Sequence, residues 1–129
     1  MSVAVDTNIL VRALVLDDAA QSRAAQTVLE APWVLLASVL LETEWVLRST
    51  YRWPRDRIAD AFEQVLDLPT LAQAPLHAGW AVTRYRAGAD FSDLIHLALA
   101  PPAERLVTFD RRLARAAGPD TPVQIETFS

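Results

Sequence analysis

Two stretches of this sequence place an aspartate at the end of an apolar run: Val3-Ala4-Val5-Asp6 and Leu106-Val107-Thr108-Phe109-Asp110. Each reads as a strand that ends on a carboxylate and gives way to a helical pattern. In an open parallel α/β sheet that position faces the crevice outside the carboxyl ends of the strands, where such folds take their ligands. Other carboxylates stand in comparable places. Glu42 and Glu44 fall in the apolar segment that follows residues 33–37, and Asp90 and Asp93 bracket the start of another. Every one has a structural reading beside the chemical one. Asp6 can cap the helix it precedes, Asp90 or Ser92 can do the same, and Asp93 suits the positive end of a first turn. By helical periodicity Glu42 shares a face with Val39, Trp45 and Val46, where a carboxylate needs a metal or an Arg across the core. Glu44 is spaced to pair with Arg48 at i, i+4 on a solvated face. His96, three residues past Asp93, reads more simply as a half-buried polar side chain than as a ligand.

Were Asp6, Glu42, Asp93 and Asp110 to share one pocket, their charges would repel, and without a cation at least one would hold a proton at neutral pH. Oxygen-only donors of that charge suit Mg²⁺ or Mn²⁺, whereas zinc prefers His and Cys. The substrate that suits such a site is a phosphodiester, because a divalent cation acidifies and orients a water and offsets charge on the reacting phosphate. The remaining composition narrows the field. All twelve basic residues are Arg, with no Lys and no Cys. A phosphate-loop NTPase, Schiff-base chemistry and thiolate zinc sites are thereby excluded. Aspartyl-phosphate enzymes of the receiver or haloacid type also use a strand-end Asp with Mg²⁺, but generally add a Lys. The net charge of −4 hides a distribution. Setting four acids aside in a metal site leaves twelve acids against twelve Arg, so the rest of the surface can carry local Arg patches.

The elements that must position these residues follow the apolar spacing. The chain of 129 residues, 52% apolar with three Gly, predicts one domain spanning 1–129. A buried strand over 2–5 leads to a helix over about 7–16 and a second over 19–30 with Ala24, Ala25, Val28 and Leu29 inward. Residues 33–37 have strand length, and Ser38 reads as the N-cap of a helix to about Thr50. Pro54 opens a helix to about Asp67 with Ile58, Ala61, Phe62, Val65 and Leu66 inward, residues 69–73 suit a short edge strand, and Pro75 opens a helix that Gly88 closes. A short helix carrying Arg111, Arg112 and Arg115 stops near Gly118-Pro119, and residues 123–125 form a last strand. The alternation predicts an α/β fold with a central parallel sheet of about five strands between helices. Without a leader-like segment or a long uncharged apolar run, the expected location is the cytoplasm, with no membrane partner.

The motifs AVDTNIL, SVLLETEWVLRSTY, ADFSDLIHLALA and LVTFDRRLAR resemble, in order and spacing, those of PIN-domain ribonucleases, and most of all the VapC-type toxins of bacterial toxin–antitoxin pairs. The resemblance implies a PIN-like three-layer α/β/α fold and an acidic cluster on Asp6, Glu42, Asp93 and Asp110, with Asp90 as an additional metal ligand. Thr7, Asn8, Ser38 and Thr108 would be polar neighbours that orient ligands or waters. It further implies Mg²⁺- or Mn²⁺-dependent endoribonuclease action, a homodimer and a small VapB-type antitoxin. Candidate RNA contacts are Arg48, Arg52, Arg84, Arg86, Arg111 and Arg112, each with ordinary solvated surface as its plainer reading. Trp53 and Tyr51 could stack on bases, although packing explains them better. Two alternatives stay beside the toxin: a PIN nuclease of RNA maturation or decay, and a non-catalytic module that binds RNA or protein.

Overall fold

A computed structural model describes residues 1–129 as two compact units, Met1–Ala74 and Pro75–Ser129. The first holds β1 (Val3–Ala4), α1 (Thr7–Leu14), α2 (Ala19–Val28), β2 (Trp33–Val34), α3 (Ala37–Ser49), α4 (Arg55–Leu66) and β3 (Leu71–Gln73). Its strands pair in parallel in the order β1-β2-β3, with Val3 opposite Trp33 and Trp33 opposite Leu71. Parallel strands need crossovers, and the helices between them provide these. Trp33, Leu10, Leu40, Leu47, Ile58 and Phe62 are fully buried and make the core of the unit. On α4 the inward positions Ile58, Ala61, Phe62 and Val65 are buried, as their spacing predicts.

The second unit holds α5 (Ala78–Arg86), α6 (Phe91–Ala98), β4 (Arg105–Thr108), α7 (Arg111–Ala117) and β5 (Gln124–Thr127). β4 and β5 pair in parallel over four residues each, from Arg105 opposite Gln124 to Thr108 opposite Thr127. Leu97, Leu113, Ala117 and Val123 form its core cluster, with Trp80, Leu106 and Ile125 packed on it. Tyr85 and Phe91, both buried, meet edge to face at 5.0 Å. The expected five strands are present and every pairing is parallel, in one ladder of three and one of two. The α/β class read from the sequence therefore holds. No helix is long and apolar enough to cross a membrane.

Several local expectations are corrected. The run 33–37 gives only a two-residue strand, because Ala37 already belongs to α3, and the N-cap is Leu36 rather than Ser38. Helix α5 starts at Ala78, not Pro75; His77 precedes it in the left-handed conformation at φ 59°, and Leu76 is exposed. Val3 and Ala4 in β1 are exposed while Val5, just beyond, is buried. On α2 the buried residues are Ser22 and Ala25, and Ala24 and Val28 face solvent.

Candidate functional site

Three of the candidate carboxylates are helix N-caps. Asp6 Oδ1 accepts from Thr7 N at 2.7 Å at the start of α1. Asp90 accepts from Asp93 N at 3.1 Å at the start of α6, and Asp110 Oδ1 accepts from Arg112 N at 2.9 Å at the start of α7. Each binds an otherwise unpaired backbone donor and sits at the positive end of its helix. Capping does not exhaust a carboxylate. Every oxygen has two acceptor directions, so the group that fixes the helix can still present oxygen to a ligand.

In the first unit Asp6, Thr7, Asn8, Arg12 and Glu42 line one cavity of about 260 Å³. The Thr7 hydroxyl is buried there without a hydrogen-bond partner. Asp6 and Glu42 are thus brought to one cavity, on the side of α3 that carries Val46, as the periodicity suggested. The burial on that helix is the reverse of expectation. Glu42 is exposed and Trp45 is 57% exposed, whereas Glu44, expected on a solvated face, is buried beside Leu40, Thr43 and Leu47. Its pairing with Arg48 is present, Nε to Oε2 at 2.8 Å, with the Glu side chain only 6% exposed. Apolar residues cover α3 on several sides, so the sequence spacing did not single out the inward one.

In the second unit a cleft of about 630 Å³ is lined by Asp90, Asp93, Arg84, Arg112 and Arg115, with the Gly88 backbone at its rim. The carboxyl of Asp93 is held above the usual aspartate range, first by partial burial and then by the charges of Asp90 and Asp110. Asp110 is pulled the other way. Arg112 donates Nε to Oδ1 at 3.2 Å and Nη2 to Oδ2 at 3.3 Å, which with the backbone bond keeps the carboxyl below its ordinary value. Thr108 Oγ1 accepts from Asp110 N at 2.9 Å, which fixes the turn between β4 and α7. His96 is exposed rather than half-buried, and its influence is an electrostatic one on Asp93.

The arginines divide by what they do. Arg84 donates to the carbonyls of Ala116 at 3.1 Å and Arg115 at 3.2 Å, closing the C-terminus of α7. Gly118 there has φ +69°, and a Cβ would lie 2.6 Å from the Arg84 guanidinium carbon. Arg48 serves Glu44, Arg52 sits exposed at φ 57°, and Arg111 points to solvent. Arg86 is half-buried on α5. Trp53 carries the Arg57 guanidinium 3.9 Å above its ring and Tyr51 donates to Asp17 at 3.5 Å, so both are engaged in packing. The residue that sequence reasoning passed over as a contact is Arg115. Its spacing of three from Arg112 on one helix was the available signal.

In each unit taken by itself the candidate donors are oxygens, Asp6 and Glu42 with the buried Thr7 hydroxyl in the first and Asp90, Asp93 and Asp110 in the second, the donor chemistry of a hard divalent cation of the Mg²⁺ or Mn²⁺ kind. No group of three or more His, Asp or Glu side chains is gathered to hold a metal ion outright. A family model described as the PIN domain matches residues 3–119. No curated protein and no solved structure matches the chain. PIN domains are generally nucleases, hydrolases acting on nucleic acid. With a match over nearly its whole length, in which lie Asp6, Glu42, Asp93 and Asp110, the chain belongs to the PIN domain family.

Proposed function

We propose that this protein is a Mg²⁺- or Mn²⁺-dependent endoribonuclease, the toxin of a toxin–antitoxin pair. The observation that carries the reading is the pairing of strand-end acids with a second carboxylate: Asp6 with Glu42 on one cavity, and Asp110 with Asp93, which feels the charges of both Asp90 and Asp110. The proposed metal ligands are Asp6 and Glu42 in the first unit, and Asp93 and Asp110, with Asp90 beside the ion or its waters, in the second. A divalent cation bound by them supplies an acidified water and offsets charge on the reacting phosphate. The chain's own contribution is orientation. Helix N-termini hold Asp6, Asp90 and Asp110 in fixed rotamers, Thr108 fixes the turn that presents Asp110, and Thr7 offers a buried hydroxyl beside Asp6. Water then attacks an RNA phosphate in line, the P–O3′ bond breaks, and a 3′-hydroxyl leaves with a 5′-phosphate on the other fragment. Arg112 and Arg115, which line the second unit's cleft, would hold flanking phosphates. A homodimer and a small protein antitoxin belong to the same reading.

The test is incubation of the purified protein with total RNA, with Mg²⁺, with Mn²⁺ and with chelator, followed by mapping of new ends. Divalent-dependent cuts with 5′-phosphates are expected. RNA left intact under every condition would overturn the nuclease, and cutting by a protein whose expression is harmless and needs no neighbouring antitoxin would favour a role in RNA maturation or decay.

A further inference from the structure

Asp110 differs from the other candidate ligands in how its oxygens are used. Oδ1 accepts from Arg112 N and Nε, and Oδ2 accepts from Arg112 Nη2. A cation on this carboxylate would compete with the guanidinium for Oδ1, where both acceptor directions are taken, and at the open direction of Oδ2 would sit against its charge. The two guanidinium bonds are long, 3.2 and 3.3 Å, and the side chains are 80% and 38% exposed. Pairs of that kind are weak, and a divalent ion displaces them readily. The backbone bond from Arg112 N is independent of the side chain, so Asp110 keeps its cap after the fork has left.

The displaced guanidinium has a destination. Arg112 and Arg115 both line the cleft of about 630 Å³ that also holds Asp90 and Asp93. A spacing of three puts the two arginines on one face of α7. The planar fork of Arg matches phosphate oxygens. While Asp90 and Asp93 are uncompensated, however, their charges repel a phosphate from the same cleft. Seating of RNA and filling of the metal site are therefore linked through one side chain.

Resting on the nuclease reading above, we infer that Arg112 exchanges partners: a divalent cation takes Asp110 from it, and the freed guanidinium joins Arg115 in holding an RNA phosphate beside the one being cut. The experiment measures Mn²⁺ affinity of the RNA-free protein by calorimetry, and KM for RNA in Mg²⁺, for wild type, R112A, R112K and R115A. R112A is expected to bind Mn²⁺ about two- to five-fold tighter, the factor set by losing one exposed ion pair, while its KM for RNA rises. R115A, which leaves Asp110 paired and removes only a more distant charge, is expected to raise KM with Mn²⁺ affinity changed less than in R112A. R112K, with a charge but no fork, should fall between wild type and R112A in both, and carries the test if thermal unfolding shows R112A to be unfolded. Unchanged or weaker Mn²⁺ binding in R112A overturns the exchange, as does tighter binding with KM unaltered. Wild-type protein that neither binds Mn²⁺ nor cuts RNA defeats the underlying nuclease reading, whereas wild type that does both beside an unaltered R112A defeats the exchange alone.

Discussion

Replacing Asp6 by asparagine, serine and alanine separates the helix cap that its carboxylate makes from the metal-binding role proposed for it. The cap on α1 is a single hydrogen bond, Thr7 N to Asp6 Oδ1 at 2.7 Å. Asparagine keeps an oxygen in the same place, and Asn and Asp are near-equal N-caps, so D6N should differ from wild type by only a few tenths of a kcal/mol. Loss of the negative charge at the helix start subtracts a further 0.3–1 kcal/mol, roughly, from all three variants alike. D6S keeps a cap of similar quality. Alanine removes the acceptor and should cost about 1 kcal/mol, a fall in Tm of roughly 3–4 °C for a chain of this size. Catalysis should respond in another order. All three variants lack the anionic ligand, and since even outer-shell changes cost 10–100-fold in metal sites, RNA cleavage should drop by at least about 100-fold in each. Urea or thermal unfolding by circular dichroism measures the first quantity and divalent-dependent cleavage of a labelled RNA the second. Retained cleavage in D6N would remove Asp6 from the site, and equal destabilisation of D6N and D6A would show that the cap is not what holds α1.

Gly118→Ala should destabilise the protein by about 2–4 kcal/mol in urea unfolding. The backbone there, φ 69° and ψ −168°, is essentially confined to glycine, and the new Cβ would drive the Arg84 guanidinium off the carbonyls of Arg115 and Ala116. In an Arg84→Gln background the same substitution should cost less, and equal costs in the two backgrounds would dismiss the clash. Thr43→Val should be neutral or stabilising by about 1 kcal/mol, because the Thr43 hydroxyl is fully buried with no partner and valine keeps its shape; a loss of stability would mean that the hydroxyl is satisfied. Asp93 carries a raised folded-state pKa, so its protonated form favours folding, a contribution present below the unfolded value and lost as pH rises through the folded one. The stability of Asp93→Asn relative to wild type should therefore grow from about pH 3 upward in unfolding experiments without divalent ions, and a gap independent of pH would refute the crowding of Asp90, Asp93 and Asp110.

Local signals carried the sequence reading where chemistry and geometry coincide. An apolar run, an aspartate and a helical pattern marked Asp6 and Asp110 as strand ends before helices, and of the two caps offered for the next helix, Asp90 and Ser92, it is Asp90 that caps. The same logic failed on α3. Its apolar residues surround the axis, and burial is decided by what packs on it, so Glu44 went inward and Trp45 outward. Segment 33–37 misled for a related reason, since Ala37 is as good in a helix as a buried strand. Ser38 lost the N-cap to Leu36 because the helix begins at Ala37, two residues earlier than a cap at Ser38 would place it. The division of the chain into Met1–Ala74 and Pro75–Ser129 left no mark in composition, there being no linker-like segment at that point.

Asp6, Asp90 and Asp110 are each fastened by peptide N–H groups of the helix they begin. The negative charge of each is thereby met by the backbone of its own helix. Chelators should accordingly silence hydrolysis while the far-ultraviolet ellipticity stays put, which makes loss of activity on metal removal reversible by simple readdition.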